Sequence, residues 1–193
     1  MTHNATPFAA AVAVGLCLAG PAASQATCTL PDDRYDMTDA QVDALYDCMS
    51  DFMLEGYQSK GEAVAMAYRD WTQASTRPAV AGVHGERFLN TFVNGIAAEQ
   101  YLRFEEGAFE MPVGSVLAKE MIGVKDGAAR RAPLLIMTKV DDAPDTDNWF
   151  YSGVQPTGGA MKVNQNFCHD CHASYDASDS MGYPVPEVRA SAD

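Results

Sequence analysis

The sequence predicts an α+β fold: an antiparallel β-sheet, helices before it, and a C-terminal helix that holds Cys168-His169-Asp170-Cys171-His172. Three observations carry this. Helix-capping patterns and apolar residues at helical spacing occupy residues 27–80. Short apolar runs separated by turn residues fill Met111 to Gly159. The connections between those runs are short, whereas parallel strands need crossovers of a dozen or more residues. Residues 27–193 have the length of a single domain, helical over 27–80 and carrying sheet and cysteine motif over 81–193.

Residues 1–26 read as a cleaved secretory signal. Phe8 to Leu18 is an apolar run, Gly20-Pro21 breaks it, and Ser24 and Ala26 are small residues placed for cleavage before Thr27. No Lys or Arg precedes the run, so its positive start rests on the terminal amine. The run is shorter than the roughly 20 residues of a spanning helix. Cys17 follows Leu16 rather than a small residue, which argues against a lipoprotein attachment site. The expected location is therefore periplasmic or secreted, with no membrane span.

Thr27 to Asp36 is polar and contains Pro31, as an extended lead-in would. Thr38 and Gln41 form a capping box, after which Val42, Leu45, Met49, Phe52 and Met53 recur at helical spacing up to Gly56. Ser59 with Glu62 is a second capping pattern, opening a helix whose Val64, Ala67, Tyr68 and Trp71 share a face. Such stripes are more often core than cofactor contacts. Arg77-Pro78 and Gly82 break the pattern and lead into His84-Gly85-Glu86-Arg87. Arg87 to Val93 then alternates as a strand, with Phe88, Asn90 and Phe92 on one face, so that two rings could line a cofactor pocket.

Asn94-Gly95 is a turn signal, and Ile96 to Glu105 reads as a short helix. Further strands are predicted at Ser115 to Ile122, Leu134 to Val140 and Asn148 to Val154, each bounded by Pro, Gly or Asp-rich breaks. Thr157-Gly158-Gly159 turns the chain towards the cysteine motif.

The C-x-x-C-H run is the pattern of c-type haem attachment. Thiols three residues apart on a helical turn, Cys168 and Cys171, can each form a thioether to a haem vinyl group. The adjoining imidazole of His172 can then serve as proximal iron ligand. The expected cofactor is one covalently bound haem c. A redox C-x-x-C, part of a zinc site and a small disulfide loop are the alternatives. A zinc site would need further ligands, and outside the run residues 27–193 offer only Cys28, Cys48 and His84. Once haem is attached, Cys28 and Cys48 are the spare thiols. In an oxidising compartment they are expected to form a disulfide, with two buried free thiols as the alternative.

The formal net charge is −13 and the only basic pair is Arg130-Arg131, so nucleic acid and anionic membranes are poor partners. An acidic surface suits a basic electron-transfer partner, through long-range steering that salt weakens, or simply keeps the protein soluble.

Landmarks from His84 to His172 resemble the cytochrome P-460 family, which includes the cytochromes c′-beta. They are His84-Gly85-x-Arg87-Phe88 leading to Asn94, Pro112-x-Gly114-Ser115 before Lys119-Glu120, Trp149-x-Tyr151, and Phe167 with the haem run. The resemblance implies a largely antiparallel sheet with helices at one side, one covalent haem with a proximal histidine and an open distal site, and a homodimer. Some members oxidise hydroxylamine or nitric oxide and others bind nitric oxide without turnover. In the enzymes a lysine is cross-linked to the macrocycle, and Lys119 stands at the equivalent place. On a strand Lys119 shares a face with Leu117 and Met121, so its amine lies among apolar neighbours or reaches past them to solvent. Three functions follow: a P-460-like oxidoreductase, a binder of a small diatomic or nitrogenous ligand, or an electron carrier whose iron is closed by a methionine, with Met181, Met161 and Met137 as candidates.

Overall fold

The structure is a computed structural model that describes Met1 and residues 27–191; the rest of the predicted signal, with its cleavage site, lies outside the described residues. It is an α+β architecture. Helix α1 (Asp39–Gln58) begins at the expected capping box: Thr38 accepts from the Gln41 amide and the Gln41 side chain accepts from the Thr38 amide. Its buried face is Val42, Leu45, Met49, Met53 and Tyr57. Gly56 does not end the helix. It lies under Arg131, whose guanidinium would overlap any Cβ there and donates to the Phe52 carbonyl at 2.6 Å.

Helix α2 is short (Ala63–Ala67) and passes into a single 3₁₀ turn, Tyr68–Asp70. The capping pattern predicted at Ser59 is displaced. Ser59 is the C-cap of α1, and Glu62 caps α2 itself by accepting from the Ala65 amide at 2.8 Å. Helix α3 spans Gly95–Tyr101, with Asn94 as its N-cap, and helix α4 spans Gln165–His172. Among the described residues no helix is long and apolar enough to cross a membrane.

Among the described residues seven strands form one antiparallel sheet: β1 (Thr72–Gln73), β2 (Ala79–Ala81), β3 (Arg87–Val93), β4 (Val116–Lys125), β5 (Ala128–Arg131), β6 (Leu134–Lys139) and β7 (Trp149–Val154). The path runs β1-β3-β4-β6-β7, with β2 paired to β3 and β5 to β4. Pairing of Thr91 with Lys119 and of Lys119 with Leu135 puts these three residues in one row across the sheet.

The two faces of the sheet have different neighbours. Ala118 and Ile122 of β4, Phe88 and Phe92 of β3, and Leu134 and Ile136 of β6 pack with α1 and Tyr68 in the main core. The aromatic face of β3 is thus turned to the helices and does not line a cofactor pocket; the Phe92 ring packs edge-on against Tyr68, centroids 5.3 Å apart. Within this layer Glu120, 1% exposed, is paired with Arg69 at 2.5 Å and accepts hydrogen bonds from the Tyr46 and Tyr68 hydroxyls. Burial, then the charge of Glu120, raises both hydroxyls above the ordinary phenol range, so they stay protonated donors. A buried carboxylate surrounded by donors in this way holds the Tyr68 turn to the centre of the sheet.

The lead-in is fixed in two ways near Cys28. Cys28 and Cys48 are disulfide-bonded, with Cα atoms 6.1 Å apart. The backbone around Cys28 also extends the β5 edge, through Ala129 N–H to Cys28 C=O at 2.7 Å and Leu30 N–H to Gly127 C=O at 2.9 Å. The bond therefore joins α1 to the sheet edge, closing a loop of sequence separation 20. Replacing both cysteines with alanine should lower unfolding free energy by about 3 kcal/mol, measured by urea denaturation. Unchanged stability would mean that the edge pairing alone fixes this segment.

Candidate functional site

The other face of the sheet forms one wall of a cleft of about 840 Å³, within the size of small-molecule and cofactor sites. Leu89 and Thr91 of β3, Leu117 and Lys119 of β4, Met137 of β6 and Tyr151 of β7 face into it. Helix α4 supplies the second wall with Cys168, Cys171 and His172, and the turn ending at His84 supplies a third. The strand alternation that puts Glu120 into the helical core therefore puts Lys119 into the cleft.

Asn164 starts α4, its side chain accepting from the Phe167 amide at 3.2 Å. Gln165 then ties the helix to β7 by a reciprocal pair, accepting from the Tyr151 amide at 2.7 Å and donating to the Tyr151 carbonyl at 2.8 Å. One helical turn then presents both thiols to the cleft. Neither is paired; Cys171 is exposed and Cys168 half-buried, where burial and then the neighbouring Cys171 raise its pKa.

His172 is 9% exposed, with Tyr151 and Tyr175 beside its ring at centroid distances of 5.2 and 6.2 Å. Its Nδ1 lies 2.9 Å from the Ser180 carbonyl oxygen. A carbonyl only accepts, so Nδ1 carries the proton and Nε2 keeps its lone pair, the tautomer required of an Nε2 metal ligand. Burial, followed by the nearby Lys119 charge, outweighs the Ser180 hydrogen bond and lowers the pKa to about 4. His169 points elsewhere, with Nδ1 3.3 Å from the Tyr151 hydroxyl and Nε2 3.6 Å from Asp147.

Lys119 does not reach solvent. Its amine donates to the Gly182 carbonyl at 2.8 Å, and burial lowers its pKa to about 8. His84 is half-buried on the cleft wall, its ring centroid 6.3 Å from that of His172. Burial, then the charges of Lys119 and His172, lowers its pKa to about 4. Sequence reasoning included His84 as a landmark and among the few residues left for a zinc site, but did not connect it to the haem, because nothing in its spacing ties it to the cysteine run. Of the three candidate methionines, Met137 and Met161 line the cleft, whereas Met181 is fully buried in the core beneath.

The carbonyls that hold His172 and Lys119 belong to one strap, Ser178 to Gly182. A buried ion pair fixes it: Lys139 Nζ lies 2.8 Å from Asp179 Oδ1, with the two side chains 4% and 6% exposed. Asp179 also accepts from the Met111 amide at 2.8 Å through its side chain and from Trp149 Nε1 at 2.7 Å through its carbonyl. Sequence reasoning missed this pair, which lies between elements distant in the chain and matches no local pattern.

No protein-family model matches the chain, and no curated protein matches it. The class that fold and site define is thus an α+β protein with an apolar cleft into which two free thiols, two imidazoles and a lysine converge. Among the described residues no group of three or more His, Cys, Asp or Glu side chains could hold a metal ion.

Asp179→Ala would leave Lys139 buried without its partner charge. The expected cost is about 3–5 kcal/mol, measured by urea unfolding, with Lys139→Met/Asp179→Leu recovering most of it. A loss below about 1 kcal/mol in the single variant, the size of an exposed pair, would contradict the anchoring role.

Proposed function

We propose that this is an exported mono-haem c-type cytochrome of the P-460 type. In this reading Cys168 and Cys171 hold one haem c through thioethers, His172 ligates its iron, and hydroxylamine or nitric oxide is oxidised at the haem. The observation that carries the reading is that a single apolar cleft gathers both unpaired thiols, an imidazole in the ligating tautomer and Lys119. The chemistry of this donor set fits haem. The macrocycle brings its own equatorial nitrogens, so the chain need supply only an axial imidazole, attachment thiols and apolar walls. A structural zinc ion would take four ligands from the protein.

When bound, the haem supplies an iron that binds small nitrogenous molecules and passes electrons. Converting hydroxylamine to nitric oxide releases protons and electrons in equal number. The electrons pass to an external acceptor, and the net charge of −13 suits a basic exported protein in that role. The Ser180 carbonyl holds His172 in place, which keeps the imidazole a firm donor to the iron. Leu117, Leu89 and Met137 exclude bulk water from the cleft wall. Burial lowers the Lys119 pKa to about 8, so the amine gives up its proton more readily than an exposed lysine and can offer a lone pair towards the macrocycle. The homodimer implied by the resemblance belongs to the same proposal.

One observation favours a second reading, a nitric-oxide-binding protein without turnover. The Lys119 amine is already satisfied by the Gly182 carbonyl, so it need not bond to the haem at all.

The absorption spectrum and hydroxylamine oxidation of native protein and Lys119→Ala separate the two. With a cross-link, the native Soret band is strongly red-shifted; the variant loses both that shift and the activity while retaining thioether-bound haem. An ordinary c-type spectrum in native protein, with ligand binding unaltered by the substitution, selects the binder.

A further inference from the structure

The cleft contains an imidazole that the proposed chemistry does not use. Among the described residues neither ring nitrogen of His84 has a hydrogen-bond partner, in contrast to His172, held by Ser180, and His169, placed between Tyr151 and Asp147. The His84 and His172 rings both line the cleft, with centroids 6.3 Å apart and planes inclined at 59°. Two imidazoles on one iron, each bound at about 2 Å, have centroids separated by the two bonds and the two ring radii, roughly 6 Å in all. The separation observed is that of a bis-imidazole pair.

Three other groups near the cleft are less suited to the position. Met181 is fully buried in the core beneath. Lys119 is engaged by Gly182 at 2.8 Å. The Met161 sulfur packs against Gly153, within 3.0 Å of where a Cβ would stand.

The chain around His84 also differs from the rest of the wall. His84 ends a single 3₁₀ turn, Gly82–His84, and Gly85 follows in the left-handed region at φ +74°. A Cβ at Gly82 would meet nothing within 4 Å, one at Gly85 would touch only the Arg87 guanidinium at 3.9 Å, and Val83 is 73% exposed. The turn is thus small, glycine-flanked and unpacked on its outer side, whereas His172 sits on a helix tied to β7 and to the strap.

We propose that His84 is the sixth ligand of the haem iron in the resting protein, and that its turn moves aside when a small nitrogenous ligand takes that position. The proposal rests on the haem reading above. It makes the protein six-coordinate at rest and ligand-accessible on demand, with apparent affinity reduced by the fraction of time His84 is bound. If the open form is a minor state of about 10% or less, removing the imidazole should tighten ligand binding about tenfold or more.

The test uses ferric haem-bearing protein, the His84→Ala and His84→Gln variants, electron paramagnetic resonance, and nitric oxide as the ligand. Native protein should be low-spin with a bis-imidazole signature. Both variants should become high-spin while keeping covalent haem, bind nitric oxide about tenfold more tightly or better, and return to low spin when free imidazole is added. High-spin native protein, or low-spin spectra that persist in both variants, would overturn the assignment. Failure of the haem reading is separately visible: the matured protein would then carry no covalent haem, whatever residue stands at position 84.

Discussion

The ion pair between Lys139 and Asp179 is the interaction on which the site depends. Two opposite charges taken out of water are tolerated only with close geometry and further hydrogen bonds, and Asp179 has both. The pair fixes the strap that follows it. The Ser180 carbonyl then holds the tautomer of His172, and the Gly182 carbonyl fixes the Lys119 amine on the cleft lining. A pair of charges outside the cleft thus sets which nitrogen His172 offers and where Lys119 lies.

The central strand distributes the remaining work. Alternate residues of β4 face opposite ways, so Leu117 and Lys119 enter the cleft while Ala118, Glu120 and Ile122 meet the helices. A shift of one residue would exchange Lys119 and Glu120, exposing the Tyr46 and Tyr68 hydroxyls to an amine. The Glu120 network therefore specifies register as well as adhesion between layers, and the position of Lys119 follows from that register.

Much of this was legible because it is local. The Thr38–Gln41 box, the β3 boundaries and the cysteine run are encoded within a few residues of one another, and each element appears where those residues place it. The short strands β1, β2 and β5 were not legible, since strands of two to four residues carry no period and exist through their partners. Alternation in β3 separated two faces without saying which layer each would meet, so the aromatic face was aimed at the cleft when Leu89 and Thr91 line it. His84 and the strap carbonyls were invisible for a further reason. A carbonyl has no sequence signature, and the approach of His84 to His172 is created by the whole sheet.

Covalent haem at Cys168 and Cys171 is the claim from which the rest of the functional account follows. Its most direct measurement is the intact mass of the exported protein after acidified organic-solvent extraction, with fragmentation of the peptide spanning residues 165–172. The account predicts the mass of the polypeptide plus one haem, with both thioethers on that peptide. A polypeptide mass without haem, the two thiols free or bonded to each other, would contradict it.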